Sequence, residues 1–353
     1  MGKVLMKGNE AVAEAAVLSG CKYFFGYPIT PQNEIPEYMS KRLPEVGGTF
    51  LQAESEISAI NMVFGAAGSG ARVMTSSSGP GISLKQEGIS YLAGAELPCV
   101  IVNMVRGGPG LGNIGPAQSD YFQATKGGGH GDYRVIVYGP ASVQELVDLT
   151  MDAFELADTY RNPVMILGDG ILGQMMEPVE FSFPENSSPA PKPWSTSGAR
   201  GRKRNLVTSL YIVPEELEKH CLKLKAKYDD VAAREKKHES YFADDADIIL
   251  AAYGTTARIC KAVVDQAREE GIRAGLIRPV SLWPFPDAPY NTAADHAAAF
   301  LAVEMSNGQM VEDVRLAVNG KKPVHFFGRT GGIVPAKAEI IAEVKKILGG
   351  GRQ

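Results

Sequence analysis

Short, largely apolar runs alternate with amphipathic stretches through the first half of this chain. That pattern predicts strands buried on both faces of a parallel sheet, with helices between them. Strands are expected at 21–25, 49–53, 72–76, 98–104, 135–138 and 164–167, and helices at 31–41, 56–68, 82–93 and 143–158. Asn9 stands where it can cap an alanine-rich helix that stops at Gly20, and Ser55 where it can cap the helix opening at Glu56. A proline- and serine-rich stretch, 186–204, reads as a surface linker ending in Arg200, Arg202, Lys203 and Arg204. A charged helix is expected over 214–242, with Leu217, Cys221, Leu224, Tyr228 and Val231 on one stripe that packs on a neighbouring domain. From about residue 246 the alternation resumes, with strands at 248–252, 274–277, 299–304 and 324–327 and helices at 256–270, 310–318 and 335–348. The fold class is therefore α/β with two doubly wound units, 1–185 and 246–353, joined by the linker and charged helix of 186–245.

Bulk composition narrows the function. The 353 residues are 44% hydrophobic with a formal charge of −4, which suits a globular protein and disfavours nucleic-acid binding. No apolar run reaches the roughly 18 residues of a membrane-spanning helix. The N-terminal segment reads as an amphipathic helix and not as a signal sequence, so the expected address is cytoplasmic. Cys21, Cys99, Cys221 and Cys260 lie at least 39 positions apart, which excludes local zinc or iron–sulfur spacing. Cys99, inside an apolar strand, reads as an inert core thiol. Any electrons moved with this protein's help must leave through another chain.

Three stretches carry candidate chemistry. Tyr27-Pro28-Ile29-Thr30-Pro31 follows one strand, Glu56 opens a helix, and Arg106 ends another strand. A first-turn glutamate is by itself a favourable partner of the helix dipole. An isolated strand-end arginine is commonly exposed, and a turn threonine commonly bonds its own backbone. The helix Glu56-Ile-Ser-Ala59-Ile-Asn-Met-Val63-Phe-Gly65 adds small or apolar positions that allow close packing on the sheet and leave the carboxylate facing the sheet's edge. Gly107 to Gly115 holds five glycines in nine residues; without a following Lys-Ser or Lys-Thr it reads as a mobile loop over a pocket and not as a P-loop. Gln118 and Asp120 either line that pocket or are surface polar groups. His130, among glycines, reads as part of a flexible polar loop.

The spacing Glu56, Ala59, Val63, Gly65 resembles the pyrimidine-binding helix of thiamine diphosphate enzymes; counting from Glu54 puts Ile57 and Asn61 at the small positions and fails. Together with Tyr27 to Pro31, Ser78-Gly79-Pro80-Gly81, Glu96-Leu97-Pro98 leading to Arg106, and the segment from Gly275 through Trp283-Pro-Phe-Pro286, the chain resembles the alpha subunit of 2-oxoacid:ferredoxin oxidoreductases. The likeness runs from about residue 9 to 340 and is nearest to the 2-oxoisovalerate type. It implies a pyrimidine-binding-type domain followed by a transketolase C-terminal-like domain. It further implies that Glu56 bonds a ring nitrogen of the aminopyrimidine and favours the imino tautomer that generates the ylid. Tyr27, Pro28 and Ile29 would border the cofactor, and Thr30 and Arg106 would contact the 2-oxoacid, a hydroxyl toward the keto oxygen and a guanidinium on the carboxylate.

Gly168-Asp169-Gly170 resembles the opening of a Mg²⁺–diphosphate site, but neither Asn186 nor Asn205 supplies the asparagine such a site needs at its usual spacing, and a tight turn explains the tripeptide. No metal ligand is expected in this chain. The resemblance therefore implies a beta subunit that brings the diphosphate–Mg²⁺ end of a shared thiamine diphosphate and a [4Fe-4S] cluster. It also implies gamma and ferredoxin-like delta subunits, ferredoxin as acceptor and coenzyme A as co-substrate. The reaction would be oxidative decarboxylation of a 2-oxoacid to acyl-CoA and CO2, with 2-oxoglutarate or pyruvate as alternative substrates. A non-redox thiamine enzyme half and a non-catalytic scaffold remain the other classes.

Overall fold

The structure, a computed structural model, describes residues 2–182 and 191–349. The expected end of the first unit and the first residues of the linker, from Asn186, lie partly outside these. In chain order the first unit runs β1 (Val4–Lys7), α1 (Gly8–Leu18), β2 (Tyr23–Gly26), α2 (Glu34–Glu45), β3 (Thr49–Gln52), α3 (Glu56–Gly68), β4 (Val73–Ser77), α4 (Gly79–Gly94), β5 (Cys99–Val105), α5 (Tyr121–Thr125), β6 (Ile136–Tyr138), α6 (Val143–Tyr160), β7 (Pro163–Asp169), α7 (Gly170–Gln174) and β8 (Met176–Val179). After α8 (Pro214–Arg234) and β9 (His238–Tyr241) come β10 (Ile248–Ala251), α9 (Gly254–Glu269), β11 (Ala274–Pro279), β12 (Ser281–Trp283), α10 (Asp287–Ala293), β13 (Ala299–Glu304), α11 (Met310–Val318), β14 (Val324–Gly328) and α12 (Lys337–Gly349).

The first sheet has the order β12-β6-β7-β5-β4-β2-β3 and the second β14-β13-β10-β11-β9. Their strands are parallel except for the edge strands β12 and β9. Strands β4, β5 and β7 are buried along their whole length, as central strands of a parallel sheet covered by helices on both faces are, although β4 ends in the polar Thr75, Ser76 and Ser77. Strand β12 belongs by sequence to the second unit yet completes the first sheet beside β6. The two units therefore share a sheet, which alternation alone does not reveal.

Several local expectations are corrected. Asn9 is no cap: it lies inside α1, and its amide donates to the Pro31 carbonyl and the Glu34 carboxylate, each at 2.8 Å. Helix α8 stops at Arg234, and residues 238–241 form edge strand β9 beside β11. Of its stripe, Leu224, Tyr228 and Val231 are buried, whereas Leu217 is exposed and Cys221 half-buried. The linker is strapped down in part: Thr196 N–H donates to the Gly68 carbonyl at 2.9 Å, and Arg161 lies over the Trp194 ring at 4.4 Å. Gly65 faces open space and contributes nothing to helix packing. The close approach is made by Gly88 of α4, where a Cβ would stand 2.5 Å from Ile60 of α3. Cys99 is buried, and burial pushes its thiol up to about 12, against a small opposing effect of Lys85, so the thiol stays neutral.

Polar joints tie the units together. Arg278 of β11 is buried and donates to both oxygens of Glu145, at 2.6 and 2.9 Å, and to Glu239 at 3.0 Å. Gln118 donates to the Tyr253 carbonyl at 2.8 Å and accepts from Met305 N–H at 3.0 Å.

Candidate active site

Strand β2 continues into β3 on one side, and β4 lies on its other side, so the first sheet reverses direction between β2 and β4. In open α/β sheets such a switch point leaves a crevice at the C-terminal strand ends. The Tyr27-to-Pro31 turn leaves the end of β2, and Ser77 and Ser78 lead from β4 into α4. Helix α3 starts beside them because the Ser55 hydroxyl accepts from Ser58 N–H at 3.2 Å.

Glu56, in the first turn of α3, is only 7% exposed. It faces the C-terminal end of a central strand and not the lateral edge of the sheet. A Cβ at Gly81 would stand 2.6 Å from Glu56 Oε1 and 2.1 Å from Ser77 Oγ, so only glycine lets the carboxylate lie there. The hydroxyls of Ser77 and Ser78 are buried without hydrogen-bond partners. The crevice thus presents a carboxylate and two unspent hydroxyls.

Arg106 follows β5. A Cβ at Gly79 would stand 3.3 Å from Arg106 Nε, so residues 79–81 separate the guanidinium from the Glu56 carboxylate by one glycine-lined helix start. Arg106 Nη1 donates to the Thr30 carbonyl at 3.1 Å and Nη2 to the Leu111 carbonyl at 3.0 Å, while Nε is buried without a partner. Arg106 lines a cleft of about 770 Å³ between the units, with Pro80, Leu84, Leu111, Asp120 and Met305. Thr30 borders a separate hollow of about 640 Å³ with Pro31, Glu34 and Gly170. The structure therefore joins Thr30 and Arg106 through a backbone carbonyl and does not aim both side chains into one cavity. Tyr27, Pro28 and Thr30 are exposed and Ile29 is half-buried.

The glycine-rich loop 107–115 is closed by a bridge between Arg106 and Pro116, and Asn113 anchors it to the Gly331 carbonyl of the second unit at 2.9 Å. Its tip carries Leu111, 81% exposed. Asp120 lines the cleft, and burial raises its carboxyl above the ordinary value while a bond from Asn103 opposes the rise. Gln118 is neither surface nor cleft but the inter-unit joint described above. Asp169 caps α7, accepting from Ile171 N–H at 2.9 Å and Leu172 N–H at 3.2 Å, so the Gly-Asp-Gly tripeptide serves a helix start. His130 lies in an exposed loop. Among the described residues no group of three or more His, Cys, Asp or Glu could hold a metal ion, and no helix is long and apolar enough to cross a membrane.

Sequence reasoning missed Lys85, which is fully buried on α4 one turn beyond Gly81. The signal was present: Lys85 falls on the stripe Ile82, Lys85, Ile89, Leu92, where an apolar residue belongs.

The switch-point crevice holds a glycine-cradled carboxylate and orphaned hydroxyls, and a family match over residues 14–240 places the chain among thiamine diphosphate-binding α/β proteins. It belongs to the pyruvate flavodoxin/ferredoxin oxidoreductase family. That family's thiamine diphosphate-binding region matches residues 14–240, and its core domain II matches residues 246–340. The chain is 52% identical over 349 residues to the ketoisovalerate oxidoreductase subunit VorB of Methanothermobacter marburgensis, covering 99% of each chain. It is 38% identical over 347 residues to the 2-oxoglutarate synthase subunit KorA of Archaeoglobus fulgidus, covering 96% of this chain and 98% of the other. Among solved structures it is similar to a 2-oxoglutarate:ferredoxin oxidoreductase from Magnetococcus marinus determined with 2-oxoglutarate, coenzyme A and succinyl-CoA bound. The TM-score there is 0.86 at 28% identity, over 98% of this chain and 65% of that chain. A split-gene transketolase at 15% identity and TM-score 0.61 shares the fold.

Proposed function

We propose that this chain is the alpha-type subunit of a coenzyme A-dependent 2-oxoacid:ferredoxin oxidoreductase acting on branched-chain 2-oxoacids, 2-oxoisovalerate foremost. The reaction is oxidative decarboxylation to acyl-CoA and CO2 with reduction of ferredoxin. The observation that supports the substrate is the cleft beside Arg106. Among the described residues lining it, Arg106 is the single lysine or arginine, and Pro80, Leu84, Leu111 and Met305 are apolar. One cation matches one carboxylate; a second carboxylate, as in 2-oxoglutarate, would need another partner. The 52% identity to a ketoisovalerate oxidoreductase subunit supports the same reading.

In this reading thiamine diphosphate, held at its pyrimidine end by Glu56, would supply the electron sink for decarboxylation. The Glu56 carboxylate would hydrogen-bond the ring nitrogen of the pyrimidine, with Tyr27, Pro28 and Ile29 bordering that end. Arg106 holds the substrate carboxylate, and Thr30 contributes to substrate binding by steadying the guanidinium through its backbone carbonyl. A beta subunit brings the diphosphate–Mg²⁺ site and a [4Fe-4S] cluster, gamma and delta subunits complete the complex, and ferredoxin accepts the electrons. The proposed division of the chain is 1–185, 186–245 and 246–353, and the proposed address is the cytoplasm.

The test assays the purified complex with 2-oxoisovalerate, 2-oxoglutarate and pyruvate, beside the Glu56→Gln variant. The expected outcome is highest kcat/KM for 2-oxoisovalerate and near-complete loss of turnover in E56Q with assembly intact. Full turnover by E56Q would point to a non-catalytic scaffold, and preference for 2-oxoglutarate would overturn the substrate.

A further inference from the structure

Lys85 is 0% exposed, and a lysine is almost never buried to that degree without a charged partner. Its Nζ donates to Thr75 Oγ1 at 2.5 Å and to the Ser76 carbonyl at 3.2 Å. The Thr75 hydroxyl spends its own proton on the Phe25 carbonyl at 2.6 Å, so it can only accept from Lys85. Among the described residues no carboxylate lies within 4.0 Å of Nζ. Two titratable groups act on it, Glu56 from α3 and Cys99 from β5, and the Cys99 thiol is neutral. The one charge this lysine answers to is therefore Glu56, whose carboxylate lies against Gly81, one turn back on the same face of α4.

The contacts spread further. Ser76 Oγ bonds to Gln32 Oε1, and Gln32 Nε2 reaches the Tyr27 carbonyl at 3.4 Å. Lys85 thus sits beneath the ends of β2 and β4, tied to the floor of the crevice and to the start of the Tyr27-to-Pro31 turn.

We propose that Lys85 is a positioning residue for Glu56, supplying the buried positive charge that balances the carboxylate and holding the end of β4 against it. The inference rests on the reading of Glu56 given under Proposed function. Burial draws the Lys85 ammonium down to about 7, with Glu56 and then Cys99 pulling the other way, so this balancing charge is present below neutrality and lost above it. A neighbouring cation favours the ionised form of a carboxylate. The site consequently carries a charge change near pH 7 that belongs to neither cofactor nor substrate.

The experiment measures the dissociation constant of thiamine diphosphate for the assembled complex by intrinsic fluorescence between pH 5.5 and 8.5, for the wild type and for Lys85→Met. Met keeps an unbranched chain of similar shape, shorter by the terminal nitrogen, and removes the charge. The wild type is expected to show an inflection near pH 7 that K85M lacks. Lys85→Gln, which keeps a donor for Thr75 without the charge, should behave like K85M; a wild-type profile in K85Q would overturn the role. A wild-type dissociation constant that is flat across this range overturns it without any variant having to fold, as do identical profiles for wild type and K85M. Glu56→Gln in parallel separates the two readings: turnover retained by E56Q overturns the role of Glu56 itself, whereas E56Q inactive beside an unchanged K85M overturns only that of Lys85.

Discussion

The guanidinium of Arg106 donates to the backbone carbonyl of Thr30 at 3.1 Å, across 76 positions of sequence. The two residues meet because β2 and β5 end on the same side of the first sheet, and the loop that follows Arg106 folds back to Pro116. A planar fork can hold Thr30, Leu111 and still present further N–H groups, which a point charge cannot.

Arg106→Lys is therefore expected to lower kcat/KM for the 2-oxoacid by at least about tenfold, the equivalent of about 1.4 kcal/mol, although the charge is kept. Steady-state reduction of ferredoxin by the assembled complex measures this, and a kcat/KM within twofold of wild type would count against a bidentate role.

Gly81→Ala would drive a methyl to 2.1 Å from Ser77 Oγ and 2.6 Å from Glu56 Oε1. The expected cost is about 1–3 kcal/mol of stability, together with loss of turnover, because the carboxylate must move. Gly65→Ala, in open space at the exposed face of the same region, is the matched control and should be neutral or slightly stabilising. Thermal melting and turnover of both variants decide the matter; equal behaviour would deny the cradle.

Arg278→Met leaves Glu145 and Glu239 without their shared partner. Removing one member of a buried pair leaves an uncompensated charge, and both glutamates are partly solvated, so the expected loss is about 2–3 kcal/mol. Limited proteolysis should show the two units separating more readily; cleavage kinetics like those of wild type would place the strength of the joint elsewhere.

Acid should loosen the same joint. Burial would raise the carboxyls of Glu239 and Glu177, but Lys261 and Arg278 hold Glu239 below the ordinary 4.5, and the Val143 N–H and Arg258 do the same for Glu177. A depressed carboxyl contributes stability that is fully present above its unfolded value and is lost as pH falls through the folded one. The melting temperature is expected to be insensitive to these two groups above about pH 5 and to fall with acidification below about 4.5. An Arg258→Met variant should flatten that acid slope, and an unchanged slope would remove Glu177 from the account.

Much of this protein was legible from residue order alone. Helix α3 begins at Glu56 and ends at Gly68, as Ser55 and the small-residue spacing indicate, because a cap and a helical period act over neighbouring residues. The buried strand β5 was visible as an apolar run broken only by Asn103, for a similarly local reason. The family likeness rested on short motifs whose order survives in one dimension. What the tertiary structure alone decided are relations between distant segments. Strand β12 leaves its own unit to finish the other sheet, Asn9 turns from a cap into a tether for Pro31, and Gln118 becomes a joint instead of a pocket wall. Most telling is Lys85, which the hydropathy pattern marks only as a misplaced charge. Its meaning depends on which carboxylate the fold brings near it, and the electrostatics of burial act through space while a sequence records only neighbours along the chain.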